Sequence, residues 1–281
     1  KRPAAPPAAA ARTGGGRPKS PGRLGQAALR WKQEGRFKLK WKPHRGFEQI
    51  WSTQASTAEA GVSIWGLKTK MDGNRASFTT RGAVVKEKVT FGHLASAGLA
   101  KPMEVDVLEV TDEDETGWLK SGSMDKLREF LTIFFPFPER FEKVWYRMPT
   151  ARGMSPVYIW RPVPHSKDYV GLGTIATLED VEPPLDSVRC VHRSFVKDLP
   201  TGELAQLYTD TGVAGPPACI WAHAKAGSHA LFALSVGPTA AQAPEIFAMQ
   251  RVDGGRFYMD FPGQGDASGA ASPTTPFSRS R

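Results

Sequence analysis

A five-residue motif ending in an aliphatic and an aromatic residue, closed by an Ile-Trp step whose tryptophan lies 13 to 15 positions beyond that aromatic, occurs three times in this chain, and that recurrence limits the fold more than any other feature. The first copy reads Phe47-Glu-Gln-Ile50-Trp51 and closes with Val62-Ser-Ile64-Trp65. The second reads Phe141-Glu-Lys-Val144-Trp145 and closes with Val157-Tyr-Ile159-Trp160. The third is weaker: Leu204-Ala-Gln-Leu207-Tyr208, then Cys219-Ile220-Trp221. A repeat on this scale specifies one supersecondary unit used several times, and so a scaffold before a catalyst. Its core residues are Trp51, Trp65, Trp145, Trp160, Tyr208 and Trp221. The indole of each Ile-Trp step is expected to pack inward, burying up to ~200 Å2.

Local patterning is mostly that of strands. Phe37, Leu39 and Trp41 alternate with Lys38, Lys40 and Lys42, a period-two pattern with one basic face. Gly61–Trp65, Ala76–Thr80 and Ala83–Val89 read as short strands, with a turn at Met71-Asp-Gly-Asn74. One helix is predicted over Met124–Phe134, capped by Ser123 and stopped by Pro136 and Pro138. The fold class is therefore all-β: two to three repeated sheet modules, sandwich-like, with one connector helix and a basic extended N-terminal arm. The expected divisions are an arm over 1–46, a first repeat over 47–122, the connector over 123–138, a second repeat over 139–203, a degenerate third over 204–261, and a polar tail over 262–281.

Charge is distributed unevenly. Residues 1–46 carry 13 Lys/Arg against one acid, Glu34, and the remainder carries 24 basic against 27 acidic residues. The basic character therefore belongs to the arm. The arm's first 24 residues are Ala, Pro, Gly, Arg and Lys with almost no large apolar side chain, so they cannot offset their ordering entropy by burial. Arg12, Arg17, Lys19, Arg23, Arg30, Lys32, Arg36, Lys38, Lys40, Lys42 and Arg45 are the candidate polyanion contacts, with Trp31, Phe37 and Trp41 interleaved for stacking. The partner of such an arm is RNA or another nucleic acid, or an acidic protein surface; a solvated tail or an organelle-type leader would need none. No apolar run reaches the 18 or so residues of a membrane helix, and the longest is Phe130–Phe137. An intracellular place, cytoplasmic or organellar rather than secreted, is the corresponding expectation, for a chain processed or cut from a longer one.

Catalytic and metal patterns are weak. Two cysteines, Cys190 and Cys219, form no CxxC and no disulfide scaffold. Val188-Arg-Cys-Val-His192 reads as a strand with Val188, Cys190 and His192 on one face, near Asp186, without the positioned base of a nucleophilic site. His223 and His229 flank the turn Lys225–Ser228, and Asp112–Glu115 is an acidic loop; both read as solvated structure rather than cation sites. Thr13-Gly-Gly-Gly16-Arg-Pro-Lys19 lacks the spacing of a phosphate loop. No cofactor is called for, and no enzyme is expected.

The second unit is the best preserved. It continues Arg161-Pro-Val-Pro164, Tyr169-Val-Gly-Leu-Gly173-Thr-Ile-Ala, Glu182-Pro-Pro184 and Val188-Arg-Cys-Val191. This run resembles the vacuolar protein sorting-associated protein sixty-two family, and the repeated modules in the adaptor-binding region of the vacuolar protein sorting thirteen lipid-transfer proteins. In the first unit Gly66-Leu67 replaces the family's Arg-Pro, and Phe91-Gly-His-Leu94 stands at its Leu-Gly-Asp step. Thr174 takes the aspartate's place in the second unit. The resemblance implies an all-β protein-interaction module without a known catalytic centre. It leads to a non-enzymatic scaffold or accessory subunit of a larger complex, with a vacuolar or endosomal trafficking adaptor or a ribonucleoprotein subunit as alternatives. On the residues themselves, Arg161-Pro162 is expected to end strand pairing, and Gly171 and Gly173 to mark close backbone approach.

Overall fold

Each Trp pair builds an antiparallel hairpin that a short third strand completes. The first repeat comprises Phe47–Ser52, Val62–Leu67 and Leu94–Ala97; the second Arg140–Arg147, Val157–Val163 and Ile175–Thr177; the third Leu204–Asp210, Ala218–His223 and His229–Val236. The computed structural model describes residues 30–31, 37–53, 61–68, 77–79, 82–112, 123–212, 214–223, 229–237, 244–249 and 256–258. The third strands of repeats one and three pair, with Leu231 opposite Leu94, fusing those repeats into one six-stranded sheet. The second repeat forms its own three-stranded sheet. The protein is mostly β, in several sheets, with one α-helix among the described residues, as its patterning indicates.

Regular alternation would place Phe47 and Trp51, four residues apart, on the same side of a strand. They lie on opposite sides because Ile50 is an extra residue: Gln49 pairs with Trp65, and Trp51 with Ile64. The same insertion recurs at Val144, with Lys143 opposite Trp160 and Trp145 opposite Ile159. It recurs again at Leu207, with Gln206 opposite Trp221 and Tyr208 opposite Ile220. A bulge re-aims the residues beyond it, so the first aromatic of each pair turns toward a common core.

That core draws four buried residues from each repeat: Trp51, Val62, Ile64 and Ala95; Trp145, Val157, Ile159 and Ala176; Tyr208, Ala218, Ile220 and Phe232. Each of the first two tryptophans also reaches the hairpin loop of the following repeat. Trp51 Nε1 donates to Ser155 O at 3.1 Å, and Trp145 Nε1 to Pro216 O at 2.7 Å. The second tryptophan is buried as expected in repeats one and two, Trp65 at 5% and Trp160 at 7% exposure, but on the side of its strand away from the shared core. Being adjacent to an inward isoleucine, it must face outward. Trp65 packs with Phe47 and Leu94, and Trp160 with Phe141, Ile175 and Val188, in clusters separate from the shared core. Trp221 is half-buried.

The end of the stretch expected to be an arm over 1–46 is part of a sheet. Phe37–His44 is a strand, paired along its whole length with Val105–Asp112. These two lie in a sheet ordered Arg30–Trp31, Arg256–Tyr258, Phe37–His44, Val105–Asp112, Gly82–Val89, Ser77–Thr79. Of the residues assigned to the first repeat, Ser77–Thr79 and Gly82–Val89 are therefore an insertion between its second and third strands, and Val105–Asp112 follows the third, all serving a different sheet. The helix Met124–Phe134 covers that sheet rather than merely connecting repeats: Phe130 stacks on Phe37 at 4.3 Å, and Leu127, Phe130, Leu131 and Phe134 are buried. Ser123 caps it, accepting from Lys126 N, while Ser123 N donates to Asp112 at 2.6 Å. The Met71–Asn74 turn, residues 113–115, the Lys225–Ser228 turn and the tail 262–281 lie outside the described residues.

Pro162 does not end its strand. Val157–Val163 stays paired with Arg140–Arg147 through Pro162, opposite Phe141. Pairing to Ile175–Thr177 stops at Trp160, so beyond it the strand is laddered to Arg140–Arg147 alone, an edge position where proline is tolerated. The glycine expectation holds: a Cβ on Gly171 would sit 2.7 Å from Pro162 Cγ, and one on Gly173 3.1 Å from Phe91 O.

Candidate interaction surface

The outward positions of the three hairpins can be compared pair by pair, because the register is the same. Just beyond the bulge, repeat one pairs Ser52 with Ser63, repeat three pairs Thr209 with Cys219, and repeat two pairs Tyr146 with Tyr158. Before the bulge, Lys143 stands where the other repeats have Gln49 and Gln206. The second repeat thus concentrates aromatic and cationic side chains on one outward face.

Tyr146 and Tyr158 stack with ring centroids 6.4 Å apart, and Tyr158 OH reaches Met148 Sδ at 3.8 Å. Tyr146 and Met148 keep 39% and 46% of their surface exposed, high for large apolar groups. Lys143 Nζ sits 5.8 Å from the Tyr158 ring and 5.9 Å from the Trp160 ring, while both oxygens of Asp180 accept from it at 2.7 Å. Arg161 and Glu142 pair at 2.7 Å, and the hydrogen bond from Arg161 holds the Glu142 pKa below its ordinary value. The segment after Ile175–Thr177 folds back along the first strand, where Glu182 accepts from Phe141 N at 2.7 Å and Leu178 and Val181 remain exposed. This arrangement places rigid rings, a soft thioether and anchored charges side by side on a sheet.

Sequence reasoning selected the tryptophans and passed over these neighbours. The signal was present in Val157-Tyr-Ile-Trp: the residue between two inward positions of a strand must face out, and here it is tyrosine. A second missed signal is a hydroxyl in each third strand, at Ser96, Thr177 and Ser235. Trp160 Nε1 donates to Thr177 Oγ1 and Trp221 Nε1 to Ser235 Oγ, both at 2.8 Å. Trp65 turns instead to Ser63 Oγ at 2.8 Å, an acceptor that the other repeats lack at that position.

Of the candidate polyanion contacts, Arg12, Arg17, Lys19, Arg23, Lys32 and Arg36 lie outside the described residues. Arg30 falls in the short strand Arg30–Trp31. Lys38, Lys40 and Lys42 share one strand, and Arg45 pairs with Glu104 at 2.7 Å on the surface.

The polar groups near the core are structural in geometry. Thr174, at the family's aspartate step, donates to Phe232 O at 3.0 Å. His93, its counterpart in repeat one, accepts from Ala176 N at 3.1 Å. These two side chains link third strands across repeats. The His93 ring keeps some accessible area, yet crowding by protein atoms governs its proton, and burial lowers its pKa to about 4. Arg147, Tyr208 and Asp210 form a buried group: Arg147 donates to Tyr208 OH at 2.8 Å and pairs with Asp210 at 2.9 Å. Burial pushes the Tyr208 phenol up to about 12.

The expected strand over Val188–His192 is confined to Val191–His192, paired with Tyr169–Val170, because Arg189 N and Cys190 N bond to Thr90 O and Pro136 O instead. Burial pushes the Cys190 thiol up to about 12, the opposite of an activated nucleophile. His192 Nδ1 lies 2.8 Å from Ser194 Oγ. His223 faces Glu203 at 3.3 Å. Among the described residues no three His, Cys, Asp or Glu side chains gather as metal ligands, and no helix is long and apolar enough to cross a membrane.

Residues 63–210, about half of the chain, match the family model described as vacuolar protein sorting-associated protein 62. No curated protein matches the chain. Among solved structures, GNIP1Aa from Chromobacterium piscinae is similar at a TM-score of 0.44 and 16% identity, over 70% of this chain and 32% of that one. The chain thus spans about a third of that protein's length.

Proposed function

The chain belongs to the vacuolar protein sorting-associated protein 62 family, and from that premise we propose that it is a non-catalytic β scaffold whose second repeat binds a protein partner through its outward face. The observation that carries this reading is the Tyr146–Tyr158 pair beside Lys143, where the equivalent positions of repeats one and three hold Ser, Thr, Cys and Gln. Tyr158 rests partly on the cluster of Phe141, Trp160, Ile175 and Val188, while Tyr146 stays exposed beside it. The partner is a short peptide segment of another protein, with an apolar side chain against the rings and backbone groups against the flanking charges, as a peptide-binding adaptor would use. The basic stretch before Phe37 supports anchoring in a larger assembly through an acidic surface.

Selection of peptides from a random display library on the purified chain tests the proposal. Selected peptides should lose binding when Tyr146 and Tyr158 are both changed to Ser, the pair repeat one uses. Peptides that bind this variant as well as the parent would remove the reading. For the assembly role, endogenous protein should sediment as part of a large particle, and a lone monomer at physiological salt would contradict it.

A further inference from the structure

The sheet containing Phe37–His44 has one face under the helix, where Phe37, Leu39, Leu108, Val110, Val85 and Val89 are buried. Its other face carries lysines in register. Lys38 and Lys86 flank Thr111, Lys40 and Lys88 flank Glu109, and Lys42 extends the first row beyond Lys40. Lys42, Lys86 and Lys88 are exposed, and Lys38 and Lys40 half-buried. Glu109, 12% exposed and 3.6 Å from Lys86 Nζ, is the acidic side chain among these positions. Among the described residues, five lysines and one carboxylate share this face of three adjacent strands. Strand geometry spaces them ~7 Å apart along a strand and ~10 Å apart across the central one. The sequence shows only half of this, because Lys86 and Lys88 come from a strand more than forty positions away.

We propose that this lysine face docks on the surface of a bilayer bearing anionic phospholipid. The cations form a two-dimensional grid, which matches a charged plane rather than a line of phosphates. Single-stranded nucleic acid sites add aromatic platforms to their cations, whereas Phe37 and Trp41 alternate to the opposite face here. Protein interfaces are depleted in lysine. An anionic leaflet, by contrast, attracts each lysine near it by about fivefold in affinity, without demanding fixed geometry. The attraction falls away with added salt.

Sedimentation with vesicles tests this, using the full chain with phosphatidylcholine alone and with phosphatidylcholine plus phosphatidylserine. The chain should bind the phosphatidylserine vesicles selectively. K42Q/K86Q/K88Q should lose about a hundredfold in affinity, on the fivefold estimate for each lysine, with its melting temperature kept as a check on folding. E109Q, which removes the opposing charge, should bind about fivefold tighter, and this gain cannot come from misfolding. Equal binding to both vesicle types would overturn the proposal. So would a triple variant that binds like the parent, which would assign the effect to the basic N-terminal stretch, or tighter binding to duplex DNA than to the vesicles.

Discussion

The inward and outward faces of the three hairpins obey different rules. Inward, Trp51, Trp145 and Tyr208 occupy one position, Ile64, Ile159 and Ile220 another, and Val62, Val157 and Ala218 a third. Close packing around a shared core restricts each repeat to nearly the same choice. Outward, the pairs are Ser–Ser, Tyr–Tyr and Thr–Cys, and the preceding position is Gln, Lys and Gln. In repeats one and three one member of the pair is buried, Ser63 at 0% and Cys219 at 2% exposure, whereas Tyr146 keeps 39%, so the second repeat opens this position to a partner. The comparison also separates two kinds of buried polar group. Thr174 and His93 stitch neighbouring third strands, while Arg147 and Asp210 occupy equivalent positions in repeats two and three with opposite charge.

The largest test of the contrast is Trp145→Ala, which removes a core side chain and its bond to Pro216. It should cost about 3–5 kcal/mol in urea unfolding, whereas Tyr146→Ser, one residue away but outward, should stay within ~0.5 kcal/mol. Similar losses at both would erase the distinction. Arg147→Ala should cost about 3 kcal/mol, because it leaves Asp210 buried without its partner, and R147M/D210L should recover most of that. A double variant as unstable as the sum of its parts would deny the pairing.

His93 sharpens the comparison through pH. Its folded pKa, about 4, lies below the ordinary 6.5, so the unfolded chain binds the extra proton first. The stability due to His93 is complete above pH 6.5 and is lost as pH falls toward 4, by up to ~3 kcal/mol. His192, lowered mainly by burial, acts in the same sense. His93→Thr, the residue that repeat two uses at this position, should flatten the His93 part of that slope; an unchanged profile would assign it elsewhere. The smallest effect concerns the outward indoles. Thr177→Val should cost about 1 kcal/mol, since Trp160 loses its acceptor. Ser96→Ala should cost less, because Trp65 bonds to Ser63 instead.

The repeated hairpins, the capped helix and the glycine contacts were legible because each has a local cause: alternation, a Ser N-cap, or a backbone that cannot clear a Cβ. The facing of the second tryptophans was not, because an Ile-Trp step reads as apolar on both sides until the bulge at Ile50, Val144 or Leu207 fixes which side is the core. The role of Phe37–His44 was hidden for a different reason. Its alternation marked a strand, but its partner Val105–Asp112 lies beyond the first two strands of repeat one, and no local pattern encodes so long a pairing. The outward surface was half-visible: Tyr158 and Lys143 sat inside the motif, while Tyr146 and Asp180 join them only once the hairpin and its following segment are folded.

The central claim is that repeat two binds through the face that repeats one and three have left plain. Hydrogen exchange on the full chain, with and without a library-selected peptide, measures it directly. Protection should rise over 140–148 and 157–163, and should be absent in Y146S/Y158S. Protection centred on 47–52 and 62–67, or on 204–210 and 218–223, would place binding on the wrong repeat and contradict the account.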